Sequence, residues 1–521
     1  MPAHARKRAC PAPGPLRRHA PRLTLAALLS AGALPAVAGD WTYGASATGR
    51  LTLTDNVRLA PRGQEEADLI LSVAPTLTAQ RRGARASLSV TYIPTLHVYL
   101  ENRDSDNLQN YLSGLFSAEA VEDFFFVDAS ANIRQTFISP FDSLLGGESI
   151  NDNLAQTTTL GLSPYVRGVL GTGYTYLVRN DNFWTTSDAS ALDNLYESRV
   201  LATVASPLGR LLRWDGEYDY NYTKFETQPA YVRQLLRLRG IYSVSPDLSV
   251  NARLGYEVND YTIDDYSGPI YGGGVDWRPT PRTFLSAFAE ERFFGTGYGL
   301  NVSHRRRLAG FTLRASRSTQ THREQALYLP AGDTRQLADI AFRSRIVDPL
   351  ERQRAVDEFL ARAGLPAVLT SPYAFYTNQI FVASLVEAGT GLFGVRNAVS
   401  LTLFWRENEP VTAGGAVLPD AFATVNNFRQ RGGIVAASHI LSARSTVTAT
   451  AQRTYTLSTD TRIQPDGSEI DSTEDVLRLT LTHQLSPATS AAAGVRWVDF
   501  DSNVRNSFRE HALFASLTHR F

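Results

Sequence analysis

Apolar residues occupy every second position through most of this chain, over unusually long runs. In 475–486, DVLRLTLTHQLS, Leu477, Leu479, Leu481 and Leu485 share one face, and Arg478, Thr480, Thr482, Gln484 and Ser486 share the other. In 445–457, Val447, Ala449, Ala451, Tyr455 and Leu457 alternate with threonines and Gln452. The same two-residue period runs through 87–100 and 248–259. Strict alternation means strands with one apolar and one polar face. Soluble strands usually have about five or six residues, whereas about nine to eleven tilted residues cross a bilayer. Many long strands in an open sheet would leave unpaired edges, and closing the sheet removes them. The expectation is an all-β, up-and-down antiparallel transmembrane β-barrel.

The connections alternate as well. Short turns carry Pro, Gly or Ser: SPLGR at 206, SPD at 245, PTPR at 279, LSARS at 441 and SPATS at 486. Longer polar links such as YTIDDYSG at 261 and STDTRIQPDGSEID at 458 lie between them. Short turns on one rim and long loops on the other match a bacterial outer-membrane barrel with the short turns periplasmic. The pattern predicts about 22 strands, with 20 the alternative, from near Gly44 to Phe521. Trp214, Trp277, Trp405 and Trp497 fall within or at the ends of strands, as girdle residues do. No run after residue 38 reaches the 18 or so apolar residues of a membrane helix. A mean hydropathy of −0.18 suits a barrel, in which only alternate residues meet lipid.

The first 22 residues carry Arg6, Lys7, Arg8, Arg17, Arg18 and Arg22 and no acid, followed by LTLAALLSAGALPAVA. A basic region, a short apolar run and Ala36-Val37-Ala38 predict a secretory signal over 1–38, cleaved before Gly39. The single cysteine, Cys10, would leave with it, so the mature barrel, 39–521, would have no disulfide. Its charge would be 45 basic against 51 acidic residues, which gives no reason to expect nucleic acid as a partner. At the other end HALFASLTHRF places Leu513, Leu517 and Phe521 on one face of a last strand. A terminal Phe after alternating apolar positions resembles the signal read by the barrel assembly machinery. These three residues are therefore expected to direct barrel insertion and closure.

One stretch breaks the period. Residues 321–377 read as a long outer loop, and 348–366 within it as a helix. Asp348 stands at the N-cap, Pro349 at N1 and Glu351 at N3; Val356, Phe359, Leu360 and Ala363 form an apolar stripe, and Gly364 ends it. Such a loop suits a plug in the lumen or a lid over the mouth, the plain alternative being a surface excursion. Arg343, Arg345, Arg352 and Arg354 in and near the helix form a basic cluster that either lines a path for an anionic solute or polymer or is solvated charge. Arg305, Arg306 and Arg307 fall at a short turn, where lipid headgroups are the alternative to solvent. Phe404 and Tyr99, expected in the lumen, are candidates for stacking on sugars or for packing. No catalytic, cofactor or metal constellation is found. His97, His304, His322, His439, His483, His511 and His519 form no ligand pair. No G-x-S-x-G elbow occurs. Ser303 and His304 point to opposite faces of a strand. GTGYG at 295 reads as a hairpin tip rather than a phosphate loop.

Four stretches, TLTDNVRLAP (52–61), DPLERQRAVDEFLARAGLP (348–366), SPYAFYTNQIFVASL (371–385) and GVRNAVSLTLFWRE (394–407), carry a resemblance. With the signal and the terminal Phe, the chain resembles the PEP-CTERM system-associated outer-membrane β-barrel family, akin to β-barrel porins of exopolysaccharide gene clusters. That resemblance implies an outer-membrane location in a Gram-negative bacterium and a link to exosortase and exopolysaccharide genes. It supplies no functional residues. The expected function is a porin-like barrel serving exopolysaccharide secretion or assembly, as conduit or surface anchor. The alternatives are a general diffusion porin for small solutes and, third, a barrel enzyme acting on lipid or polysaccharide. Expected partners are outer-membrane lipid, the assembly machinery, and the exopolysaccharide with its export proteins.

Overall fold

A computed structural model describes residues 40–189, 192–227, 230–260, 266–320, 333–366, 381–411, 428–458 and 469–521. The signal at 1–38, the loop portions 321–332 and 367–377, and His322 lie outside the described residues.

Twenty-two strands make one antiparallel sheet. In chain order they are β1 (Asp40–Thr54), β2 (Asp68–Arg82), β3 (Ala86–Tyr99), β4 (Asn107–Val121), β5 (Phe125–Phe137), β6 (Leu154–Leu170), β7 (Tyr174–Ser187), β8 (Leu195–Ala205), β9 (Leu212–Phe225), β10 (Ala230–Ser245) and β11 (Leu248–Asn259). The second half is β12 (Tyr266–Thr280), β13 (Thr283–Arg292), β14 (Gly295–Arg305), β15 (Ala309–Gln320), β16 (Phe381–Phe393), β17 (Asn397–Pro410), β18 (Phe428–Ser442), β19 (Ser445–Ser458), β20 (Asp471–Gln484), β21 (Thr489–Ser502) and β22 (Phe508–Arg520). Each strand pairs with its chain neighbour. The sheet closes where β22 pairs with β1, in register from Ser46 opposite Arg520 to Thr54 opposite Ala512. Closure leaves no edge strand. Two helices, α1 (Thr334–Phe342) and α2 (Pro349–Ala363), lie between β15 and β16.

The alternation read from the sequence becomes an outer and an inner surface. Leu51 and Leu53 of β1, Leu477, Leu479 and Leu481 of β20, and Leu513 of β22 stand exposed on the outside. Their neighbours Thr52, Thr54, Glu474, Arg496 and Glu510 are buried on the inside. A soluble protein does not show bands of leucine to water while burying arginine and glutamate. A barrel in lipid does both. Trp41 stacks on Tyr43 at one end of the band (5.6 Å), and Trp214 and Trp277 lie near the same end. Trp405 and Trp497 lie towards the other.

All five of the Pro-, Gly- or Ser-bearing turns named above join strands on one rim, the rim that also carries the ends at Asp40 and Arg520. The opposite rim, here the outer rim, carries the long connections, although β9–β10 (226–229) and β21–β22 (503–507) are short there too. β13 and β14 are joined there through Phe293 and Phe294 alone, and Gly295 (φ +89°) begins β14. GTGYG is thus the start of a strand just past a hairpin tip.

Candidate functional site in the lumen

Two pieces of chain rooted at the outer rim fold onto the inner wall. The first is the helical segment. The Asp348 side chain accepts the Glu351 N–H at 2.7 Å, Pro349 opens α2, and Gly364 ends it at φ +63°. Leu365 N–H donates back to the Leu360 carbonyl at 3.0 Å. This is the stop expected from a glycine that tolerates the left-handed region. α1 is a second, shorter helix that sequence periodicity did not reveal, capped by Asp333 accepting from Gln336 N–H at 2.8 Å. The stripe Val356, Phe359, Leu360 and Ala363 packs on Leu337, Ala338, Ala341 and Phe342 of α1, and on Phe393, Ala398 and Ala436 of the wall.

The wall is built to receive α1. A side chain at Gly310 of β15 would put its Cβ 2.4 Å from the Leu337 carbonyl oxygen, so only glycine lets the helix backbone this close. A few polar ties complete the contact. The Ser438 hydroxyl donates to the Ala363 carbonyl, Thr446 to Arg362 O at 3.2 Å, and Thr448 to Gly364 O at 3.4 Å; Arg314 donates to Gln336. Gly310, Phe393 and Thr446 lie at strand ends next to the terminal rim, and Ser438 lies in the half of β18 nearest it. The described part of the segment, 333–366, therefore sits inside the barrel in its terminal half. Its roots are at the outer rim, as expected, but its helices are not over the outer mouth.

The predicted basic cluster is dispersed by this course. Arg343 and Arg352 both pair with Asp339, at 2.9 and 2.7 Å. Arg352 also donates to the Ile346 and Val347 carbonyls, each at 3.0 Å, and so ties the turn between the helices. Arg345 reaches the Arg307 carbonyl at 3.4 Å, and Arg354 is exposed on α2. They form no common path on the outer side. Phe404 and Tyr99 do face inward, but both are buried, and the Tyr99 hydroxyl is bound to the Glu148 carbonyl at 2.7 Å. Their role is packing.

The second inserted piece, the β5–β6 connection 138–153, escaped sequence reasoning. Glu148 is its centre. Its carboxylate lies 3.4 Å from Arg496 and 3.7 Å from Arg50, and accepts from Thr52 at 3.2 Å. Arg496 makes a two-pronged contact with Glu510, at 2.7 and 3.0 Å. Glu510 also accepts from Thr54 at 2.9 Å. Burial raises the Glu148 carboxyl, but the Arg496 and Arg50 guanidinium groups outweigh it and hold the carboxyl below its ordinary value. Nearby, Glu474 accepts from the Ser143 hydroxyl at 2.8 Å and from Leu144 N–H at 3.1 Å. Phe141 packs edge-on to Phe428, and Leu145 packs among Val498, Phe500 and Phe508. The available signal was a break in period two at SPFDSLLGGESINDN. Arginine and glutamate on the inward positions of β21 and β22 were its counterpart.

Between these two pieces the wall is polar. Along β7 to β13 most inward arginines face carboxylates: Arg199 to Asp219 at 2.7 Å, Arg237 to Glu290 at 3.0 Å, Arg292 to Glu257 at 2.7 Å. Against β2 to β7 a cavity of about 740 Å³ remains, lined by hydroxyls such as Ser89, Ser117, Ser130 and Thr159, with Arg134 and Arg179. Among the described residues no group of His, Asp, Glu or Cys could hold a metal ion. The described histidines take polar side-chain partners at ring Nδ1, such as Ser72 for His97 and Thr283 for His304. Leu513, Leu517 and Phe521 lie on the outer face of β22, all exposed, with Phe521 N–H donating to the Ala45 carbonyl at 2.9 Å.

No protein-family model and no curated protein sequence matches the chain. Among solved structures it is similar to the siderophore receptor PirA from Acinetobacter baumannii. Identity is 9%, TM-score 0.47, covering 92% of this chain and 81% of that one. It is also similar to PirA from Pseudomonas aeruginosa, at 10% identity and TM-score 0.40, covering 92% and 80%. A third is Pseudomonas aeruginosa OpdK with vanillate, at 8% identity and TM-score 0.36, covering 92% and 99%. At these values the likeness extends to no particular site or ligand.

Proposed function

We propose that this chain is an outer-membrane porin-like conduit serving exopolysaccharide secretion or assembly, closed in its periplasmic half by the helical segment. The observation that carries the conduit reading is the seating of α1 and α2 on the inward-facing wall around Gly310, Phe393 and Ser438. A barrel used only as an anchor has no need of a separately folded, self-capped insert in its bore. Support for the membrane and its sidedness comes from the outward leucine band and the short-turn rim. Support for the polysaccharide link is the resemblance of the four stretches to the PEP-CTERM-associated family. The test is conductance of the mature barrel in planar bilayers, with and without residues 334–363. The wild type is expected to stay closed and the deletion to conduct; silence in both sinks the conduit. Loss of surface exopolysaccharide in a strain lacking the protein, restored by the intact gene, tests the cargo.

A second reading, a diffusion porin for small solutes, is favoured by the hydroxyl-lined cavity against β2 to β7, which no helix residue lines. It predicts steady conductance in the wild type, indifferent to added polysaccharide. In either reading Phe521, Leu517 and Leu513 serve delivery to the assembly machinery. Deleting Phe521 should lower outer-membrane levels several-fold, measured by surface labelling. Normal levels would remove that role.

A further inference from the structure

The tip of the helical hairpin comes out at the terminal mouth, and what it presents there is unmatched. Val347 in the turn between α1 and α2 is 86% exposed, Leu350 on the first turn of α2 67%, and Val395 in the adjacent β16–β17 turn 82%. Arginines surround them: Arg345 and Arg362 on the helical segment, Arg306 and Arg307 in the β14–β15 turn, and Arg396 in the β16–β17 turn. The Arg345 contact to the Arg307 carbonyl brings helix and turn together. Arg335, Arg343 and Arg352 have carboxylate partners within the segment. The five mouth arginines have none among the described residues, although Glu358 lines the same crevice as Arg345 and Arg362. That crevice is about 270 Å³ and has Phe342, Phe359 and Phe393 at its base. Two basic groups that are far apart in sequence thus become one surface, with apolar side chains at its centre.

We propose that this mouth is a docking surface for a carboxylate-rich protein segment bearing apolar side chains, presented from the side of the membrane that carries the chain termini. Charge complementarity selects the acidic partner, and the exposed Val347, Leu350 and Val395 select one with apolar contacts to bury. Lipid headgroups would suit the turn arginines alone. Arg345 and Arg362, by contrast, belong to the insert seated on the inward wall. A partner bound here grips the turn joining α1 and α2, the end of the insert farthest from its roots.

The experiment uses the barrel refolded in zwitterionic lipid nanodiscs and a fluorescent Glu-Glu-Leu repeat peptide, followed by anisotropy. A Lys-Lys-Leu peptide is the control. The Glu peptide is expected to bind and the Lys peptide not to. Arg345→Glu with Arg362→Glu and Arg396→Glu is expected to weaken binding about tenfold or more. Val347→Ser with Leu350→Ser leaves every charge in place and is expected to weaken it about three-fold or more. Equal binding by all variants, or no binding by the wild type, overturns the proposal. So does an arginine variant whose only change is its preference for phosphatidylglycerol discs, because the arginines then serve lipid.

Discussion

The connection 138–153 and the helical segment 333–366 both leave the outer rim and lie on the inner wall, but the wall meets them with different groups. Beneath the loop it offers Arg496, Glu510, Glu474 and Arg50, and the loop answers with Glu148, Ser143 and Ser149. Beneath the helices it offers glycines, Phe393, Ala398 and Ala436, with a few hydroxyls aimed at helix carbonyls and one arginine, Arg314, donating to the neutral Gln336. A buried ionic contact tolerates almost no displacement, since moving one partner strands the other. An apolar face on a smooth wall loses its contact more gradually as it shifts. The loop is therefore suited to a fixed constriction in the outer half, and the helices to a part that can leave the terminal half.

The largest effect should come from the ionic side. Arg496→Met removes the cation shared by Glu148 and Glu510, both buried. Stranding Glu510, and leaving Glu148 only its Arg50 contact at 3.7 Å, should cost about 3–5 kcal/mol in urea unfolding from lipid. Replacing Glu510 by Leu and Glu148 by Gln in the same protein should recover most of it. A loss under about 1 kcal/mol, the size of an exposed pair, would break the contrast.

Next comes the wall under α1. Gly310→Val places a branched side chain where the Leu337 carbonyl lies, and overpacking of this kind costs about 1–3 kcal/mol. The helices are self-capped and packed on each other, so the cost should fall on their docking and not on the barrel. Trypsin cleavage at the arginines of α2 should speed up several-fold and conductance should rise, with barrel unfolding unchanged. If the barrel itself is destabilised while α2 stays protected, the helices are as firmly built in as the loop.

How much of this was legible follows from what a one-dimensional pattern holds. Alternation is local, so β3, β11, β19 and β20 could be read directly, as could the rim on which each turn lies. The caps of α2 are local too: Asp348, Pro349, Glu351 and Gly364 stand where the chain itself needs them. α1 was missed because its nine residues make little more than two turns, and its apolar positions suit a strand edge nearly as well. Parity placed the roots of the helical segment and said nothing of its course. That course depends on Gly310 meeting Leu337 and on Ser438 meeting Ala363. Glu148 and Arg496 are 348 positions apart, and no spacing rule joins them. The dispersal of Arg343, Arg345, Arg352 and Arg354 has the same origin, since Asp339 claims two of them.

The smallest effect is the most discriminating, because the same change can be made on both sides. Ser143 and Ser438 are both buried, and each donates its hydroxyl hydrogen across the lumen wall. The acceptor for Ser143 is the Glu474 carboxylate at 2.8 Å, and for Ser438 it is the neutral Ala363 carbonyl. In alkaline buffer, where the Glu474 carboxyl is ionised, a hydrogen bond to it is worth about 1.5–3 kcal/mol, against about 0.5–1.5 kcal/mol for one to a neutral group. Ser143→Ala should therefore raise hydrogen exchange across 139–153 about tenfold or more, given that 1.4 kcal/mol is one decade. Ser438→Ala should raise exchange in the last turn of α2 only a few-fold. Leu145 N–H also donates to the Ser143 hydroxyl at 3.2 Å, so Ser143→Thr, which keeps the oxygen, is the control that separates lost hydroxyl from lost packing. Equal responses on the two sides would mean that the charge on Glu474 adds nothing to the hold of the loop. The distinction between fixed constriction and movable insert would then rest on the Arg496 cluster alone.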